Sequence, residues 1–170
     1  LGTAIAAIAR VPQARLVLVG DGPERAQLDR TVAESGARDR ISFRGALSRD
    51  EALRTVAGAD AALLSSDWEN LPHSAVEALS VGVPVVSTAV GGVPEVVRDG
   101  ENGLLVPPGR ADELAAAIGR IVAEPGLRGR LAAAREGPSP DPRREQRVQG
   151  VSVRRDEDRA YRAGRARVQN

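Results

Sequence analysis

Glu69 and Glu77 are separated by seven residues in the stretch Glu69-Asn70-Leu71-Pro72-His73-Ser74-Ala75-Val76-Glu77. Glu69 falls in a loop that follows an apolar run, and Glu77 falls on the first two turns of the helix after it. A carboxylate accepts hydrogen bonds from paired hydroxyls, such as those of a ribose or hexose ring. A helix start directs free backbone N–H groups and the positive end of its dipole toward an anion, which suits a diphosphate. Together these groups describe a site for a sugar nucleotide. Either glutamate alone reads more simply as a solvated charge, and Glu77, followed by Ala78-Leu79 and a tight Gly82-Val83-Pro84 turn, could be a surface residue.

Nearby residues add less. His73 follows Pro72 at the helix start and could touch a sugar or phosphate, but a lone histidine is more often an ordinary polar residue. Trp68 reads as a cover for the loop base. Asp67 stands close to Glu69, but no His or Cys cluster accompanies them to form a metal site. Asp21 could cap the helix that follows it.

These loops need a scaffold, and the rest of the sequence supplies one. Short Val-, Leu- and Ile-rich runs at residues 15–19, 41–43, 60–65, 84–87 and 103–106 read as strands. Apolar residues on consecutive positions suit strands buried on both faces, as in a parallel sheet. Helical patterns lie between them, ending near Ala9 and then carrying Ala26, Leu28, Val32 and Ala33. Further helices are expected at 72–81, 94–97, 111–123 and 126–135. Pro23 suits the first position of its helix. Ser48, with Glu51 three residues on, has capping-box spacing. Alternating strands and helices predict an α/β fold: an open, Rossmann-like parallel sheet with helices on both faces. Ligands in such sheets bind beyond the C-terminal strand ends. That directs attention to the loops at 20–23, 44–47, 65–72, 88–94 and 106–110.

Composition narrows the class further. The 170 residues are 42% apolar with one Trp, one Tyr and one Phe, so aliphatic side chains must build the core. Without cysteine there is no disulfide, thiolate metal site or Cys nucleophile. No apolar run approaches the ~20 residues of a membrane-spanning helix. Residues 1–136 hold 15 Arg against 18 acidic residues, so this part carries no basic surface for nucleic acid. Residues 137–170 hold 9 Arg against 5 acidic residues and begin with the helix-breaking Gly137-Pro138-Ser139-Pro140-Asp141-Pro142. That polar tail is expected to be disordered, because it has little apolar surface to offset chain entropy. Lysine is absent altogether, as a GC-rich genome would favour.

Four segments in order resemble the glycosyl transferases group 1 family. They are Leu16-Val17-Leu18-Val19-Gly20-Asp21-Gly22-Pro23-Glu24, then Ile41-Ser42-Phe43-Arg44-Gly45, then the Glu-x7-Glu stretch running on to Gly82-Val83-Pro84-Val85-Val86, and finally Gly91-Gly92-Val93-Pro94-Glu95-Val96-Val97 with Gly103-Leu104-Leu105-Val106-Pro107. The resemblance covers about residues 2–136. It implies the C-terminal half of a GT-B fold, in which two Rossmann-like domains face each other across a cleft. It implies transfer of a sugar from a UDP-, GDP- or ADP-sugar to a glycan, lipid-linked or small-molecule acceptor, with retention at the anomeric carbon. No metal bound by the protein and no other cofactor is implied.

By the same resemblance Glu77 would hold the ribose hydroxyls, and Glu69 would contact the donor hexose and help stabilise the reacting centre. Asn70, Leu71, Pro72 and His73 would face the sugar and phosphates, although Pro72 has no N–H to give. Gly20 and Gly22 would let the chain pass close to the donor, and Phe43, Arg44 and Gly45 would lie near the base.

The sequence departs from the family in two places. The Arg and Lys that usually neutralise the diphosphate would fall just upstream of Leu1, together with the domain's first strand and the N-terminal acceptor domain. Residues 137–170 also lack the family's aromatic closing helix, as an out-of-frame or variable tail would. The expected organisation is a nucleotide-sugar-binding domain at 1–136 and a tail at 137–170, in a protein that is cytoplasmic or peripheral at the inner face of the membrane. The rival reading is a non-catalytic sugar-nucleotide-binding module or a degenerate fragment, inactive by itself. A dinucleotide-binding dehydrogenase domain fits less well, because Gly20-Asp21-Gly22 lacks the third glycine of that fingerprint.

Overall fold

The computed structural model describes residues 1–134 and 150–155. The chain opens with α1 (Gly2–Ala9), β1 (Ala14–Val19) and α2 (Arg25–Glu34), and a short 3-10 turn leads into β2 (Ile41–Phe43). Next come α3 (Arg49–Ala57), β3 (Ala61–Leu64), α4 (His73–Ser80), β4 (Val85–Thr88), α5 (Val93–Val96) and β5 (Gly103–Val106). Helices α6 (Ala111–Ala123) and α7 (Pro125–Ala133) follow, and β6 (Gly150–Arg155) is the last element. The strands form one sheet in the order β2-β1-β6-β3-β4-β5. β1 runs parallel to β2, and β3, β4 and β5 run parallel in sequence, as the buried apolar strands predict.

Strand β3 shows why the sheet must be covered on both faces. All four of its side chains are buried. Ala61 and Leu63 join a core with Ile5, Ile8, Leu114, Ile118 and Ile121, which comes from α1 and α6. Ala62 and Leu64 point the other way, into a core with Val56, Val76, Leu79, Val93 and Val97 from α3, α4 and the α5 region. A strand alternates its side chains between faces, so four consecutive buried residues require apolar partners above and below.

The expected α/β architecture is present, with element ends shifted by a residue or two, and three expectations change. Pro23 is not the first residue of α2: the helix begins at Arg25 with Glu24 as its N-cap. Asp21 does not cap that helix, because its carboxylate accepts the Gly22 N–H (2.9 Å) within the glycine turn. The tail expected to be without structure supplies β6, which lies antiparallel between β1 and β3 at the centre of the sheet. Averaged over 34 residues, the tail's polarity conceals one short alternating run, Gly150-Val151-Ser152-Val153. The facing edges of β1 and β3 present backbone groups that must find partners once buried, and this run meets them. The remaining part of that expectation lies outside the described residues.

Several contacts fix the loops at the two edges of the sheet. The Arg40 guanidinium donates to the carbonyls of Ile8 (2.8 Å), Val11 (2.8 Å) and Ala14 (3.0 Å), tying the end of α1 to the start of β1. The buried Thr88 hydroxyl donates to the Ser66 carbonyl (2.6 Å), holding the β3–α4 loop against the end of β4. Gly91 and Gly92 press on that loop from behind. The Gly92 N–H donates to the Glu69 carbonyl (3.3 Å). A Cβ at Gly91 would collide with the Glu69 carbonyl oxygen, and one at Gly92 with that of Asn70. Gly91 also has φ +50°, in the left-handed region. The expected Ser48–Glu51 capping box is complete at α3, with the Ser48 hydroxyl accepting from the Glu51 N–H and the Glu51 carboxylate accepting from the Ser48 N–H.

Gly91→Ala is expected to destabilise the protein by more than about 1 kcal/mol, through both its backbone angle and the collision with Glu69. Gly36→Ala, also at positive φ but with open space around the added carbon, should cost less. Urea unfolding of the two variants checks the order. The Ser48 hydrogen bonds hold the Glu51 carboxyl below its ordinary pKa, with Arg54 adding a smaller pull the same way. The capping box therefore stabilises fully above the ordinary carboxylate pKa, and its contribution is lost as pH falls through the lower, folded value. The melting-temperature gap between the native chain and Ser48→Ala should be widest at neutral pH and narrow on acidification.

Candidate functional site

Parallel strands place the loops after β1, β2, β3 and β4 at one edge of the sheet. A cleft of about 480 Å3 opens there, a typical size for a small-molecule site. One wall is the glycine turn after β1, with Gly20, Asp21, Gly22 and Arg25. The other is the end of β3 and its loop, with Leu64, Ser65, Ser66 and Glu69, joined by Ser74 from α4.

The glycine turn is built by cross-strand pairing. Gly20 has φ +124°, which favours glycine. Its N–H donates to the Gly45 carbonyl (2.8 Å), and the Arg44 N–H donates to Leu18 (2.8 Å), so the turns after β1 and β2 are locked together. Gly22 has no side chain to fill the cleft mouth, and a Cβ added there would meet nothing within 4 Å. The Arg25 guanidinium lies 3.9 Å from the centre of the Phe43 ring and donates through Nε to Asp29 Oδ2 (3.1 Å). This gives the cleft a flat cationic and aromatic corner.

The structure brings together only part of the expected site. Gly20, Gly22, Phe43 and Glu69 line the cleft. Arg44, Gly45, Asn70, Leu71, Pro72, His73 and Glu77 stand outside that lining. Arg44 and Gly45 serve the backbone lock just described. The Asn70 carbonyl packs on Gly92. The His73 N–H donates to the Leu71 carbonyl (2.9 Å), so it is already paired, and Pro72 occupies the N-cap of α4 without a side-chain cap. Glu77 is one turn into α4, where its Oε1 accepts from Arg49 Nε (3.1 Å) and its side chain is only 14% exposed. Glu69 Oε2 receives a long contact from the Ser66 hydroxyl (3.4 Å).

Arg25, Ser65 and Ser74 were not among the expected site residues. Ser74 was legible from helical phase: one step of about 100° past His73 turns the side chain from one face of the helix to the next. Ser65 and Leu64 reach the cleft because β3 ends inside it, which no local pattern signals. Among the described residues, the cleft lining carries the carboxylates of Asp21, Glu24 and Glu69 and one guanidinium, that of Arg25. Among the described residues no group of three or more His, Cys, Asp or Glu could hold a metal ion, and no helix is long and apolar enough to cross a membrane.

The "Glycosyl transferases group 1" family model matches residues 1–136. The chain is 42% identical over 130 residues to the "Lipopolysaccharide core biosynthesis glycosyltransferase LpsE" of Rhizobium meliloti (strain 1021), covering 76% of this chain and 38% of that protein. It therefore spans well under half the length of this relative. The structure resembles Anabaena Alr3699/HepE, solved in complex with UDP-glucose, with a TM-score of 0.72, 29% identity and coverage of 78% of this chain and 38% of that one. It also resembles the C-terminal domain of the glycosyl transferase group 1 family protein LpcC from Francisella tularensis, with a TM-score of 0.68, 25% identity and coverage of 79% and 72%. On the match of the family model over residues 1–136, the chain belongs to the glycosyl transferases group 1 family.

Proposed function

We propose that this chain forms the donor-binding half of a retaining glycosyltransferase that takes its sugar from a nucleoside diphosphate sugar. The observation that carries the reading is the cleft that puts Glu69 opposite the Gly20–Gly22 turn at the C-terminal edge of the strands. HepE, which shares the fold, was solved with UDP-glucose, so a uridine diphosphate sugar is the first donor to test. The acceptor and the second wall of a closed active site would come from an N-terminal domain of the whole enzyme.

In this reading the base stacks near Phe43 and Arg25, and the pyrophosphate lies over Gly20 and Gly22, where a side chain would obstruct it. Glu77 accepts the ribose hydroxyls once Arg49 yields one carboxylate oxygen. Glu69 contacts the hexose and stabilises positive charge as the anomeric bond to phosphate breaks. Retention means that the acceptor oxygen bonds to the anomeric carbon on the face the phosphate leaves. The leaving diphosphate gains one unit of negative charge as the anomeric C–O bond breaks and needs positive charge nearby. Against three named carboxylates Arg25 gives little net attraction, so the reading calls for further cations from outside the described wall and for weak binding by this chain alone. No protein-bound metal has a role. The likeness to relatives acting on lipopolysaccharide core makes a glycan or lipid-linked glycan the first acceptor class to examine, and small molecules the next. A lipid-linked acceptor would place the whole enzyme at the inner face of the membrane.

Calorimetric titration with UDP, GDP and ADP tests this reading. Saturable binding selective for one base is expected. A folded chain that binds none would refute the donor-site assignment. Glu77→Ala should weaken binding of the preferred nucleotide about 10- to 100-fold, the scale of one or two hydrogen bonds to a charged acceptor. Arg49→Ala should leave affinity unchanged or improve it by freeing Glu77. Equal losses in both variants would mean that the ion pair, and not ribose contact, is what Glu77 contributes.

A further inference from the structure

Trp68 is the only tryptophan of the chain, and at its position a cover for the base of the Glu69 loop is expected. The structure does not use it so: Trp68 is 76% exposed. Other groups close the loop base. The Thr88 hydroxyl holds the Ser66 carbonyl, and the backbone of Gly91 and Gly92 lies so close to Glu69 and Asn70 that no side chain fits between. The indole is left outside.

Trp68 is not alone there. Leu71, three residues on, is 46% exposed. These are two of the three exposed large apolar residues among the described residues, and the third, Leu1, lines the cleft. Exposed apolar surface is thus gathered at the site edge, where it marks a place of contact. Along the loop the apolar residues are interspersed with polar ones: Asp67 and Asn70 are exposed and Glu69 is half-buried. Packed protein interfaces are depleted of charged residues at their cores, and an anionic membrane surface repels carboxylates. A saccharide ring matches the pattern better. One face of a pyranose presents C–H bonds, which lie favourably on the electron-rich face of an indole. Its rim presents hydroxyls, which donate to carboxylate and amide oxygens. The loop is also held in shape before any ligand arrives, at Ser66 by Thr88 and at Glu69 by the Gly92 N–H, which lowers the cost of binding.

We propose that Trp68 is a stacking platform for a saccharide ring of the acceptor, flanked by Asp67 and Asn70 as partners for its hydroxyls. Glu69 lines the donor cleft and Trp68 does not, so the ring on the indole is a different one from the donor hexose. The two residues are consecutive, with Cα atoms about 3.8 Å apart, so a ring on Trp68 lies beside the end of the cleft where Glu69 stands. Trp68 is then a specificity residue, favouring a glycan over an acceptor without a sugar ring. The acceptor role rests on the glycosyl-transfer reading above; the stacking does not.

With a single tryptophan in the full chain, indole emission reports on the platform directly. The probes are the methyl glycosides of glucose, galactose, mannose and N-acetylglucosamine, with glycerol as a ringless control, each added with and without UDP. At least one glycoside should shift the emission saturably, and glycerol should not. Magnetisation transferred by NMR from the protein to that glycoside should be lost in Trp68→Ala and largely kept in Trp68→Phe. Trp68→Ala should keep the melting temperature and the nucleotide affinity of the native chain, because the indole belongs to neither the core nor the cleft. No response to any glycoside, equal transfer in Trp68→Ala, or a lowered melting temperature in that variant would overturn the proposal. So would emission that shifts with protein concentration and not with glycoside, which marks a face that meets another copy of the chain. Glycoside binding in a chain that binds no nucleotide would refute the donor-site reading and leave the platform standing. Nucleotide binding without a glycoside response would refute the platform alone.

Discussion

Backbone hydrogen bonding across the middle of the sheet is the constraint on which the rest of this structure depends. Helices cover both faces, so water cannot satisfy the N–H and C=O groups of β1 and β3. Each of these strands has one parallel neighbour on its outer side and needs another strand on the inner side. β6 meets that need, running antiparallel to both. The two cores are built around this arrangement: Val153 sits within the larger one, which extends from α1 to α7. Remove the central pairing and the sheet becomes a two-stranded part and a three-stranded part, each with an exposed edge.

The site inherits its geometry from that sheet. Parallel strands bring the turn after β1 and the loop after β3 to the same edge, and long-range contacts within the chain then hold each loop in shape. On the first wall, Gly20 and Arg44 exchange backbone bonds with the neighbouring turn. On the second, Thr88 holds Ser66 from the side, and Gly91 and Gly92 hold Glu69 and Asn70 from behind. The glycine pair matters for what it lacks, since any side chain there would displace the carbonyls of the loop that carries Glu69. The Glu69 loop is therefore held in place by Gly91 and Gly92, more than twenty positions further along the sequence.

Electrostatics give the two glutamates different surroundings. Glu77 is mostly shielded and paired with Arg49, the first residue of α3, which directly follows the Ser48 cap of that helix. Glu69 lines the open cleft with only a long contact from Ser66. A carboxylate with free acceptor capacity suits a group that meets ligand directly, whereas one already bonded to a guanidinium must exchange partners to do so. The excess of carboxylates on the described wall sets an upper limit on how well this part of the family fold can hold a diphosphate without other cations.

Much of this protein was legible in the sequence because the signals are local. Runs of apolar residues at β1, β3, β4 and β5 announce strands of a sheet covered on both faces, and Ser48 with Glu51 announces a capped helix. The order of four glycine- and glutamate-bearing segments identified the family, and alternating strands and helices put those segments at one sheet edge. The sequence alone put Gly20, Gly22, Phe43 and Glu69 at strand ends or in the loops that follow them, because such loops of a parallel sheet share its C-terminal edge. Only the tertiary structure decided that Glu77 pairs with Arg49, that Ser74 and not His73 faces the cleft, and that Gly91 and Gly92 back the Glu69 loop. It alone decided that six residues of an Arg-rich tail form the central strand. Composition averages over a segment, whereas a slot between two buried strands selects the one short run that can complete its hydrogen bonds.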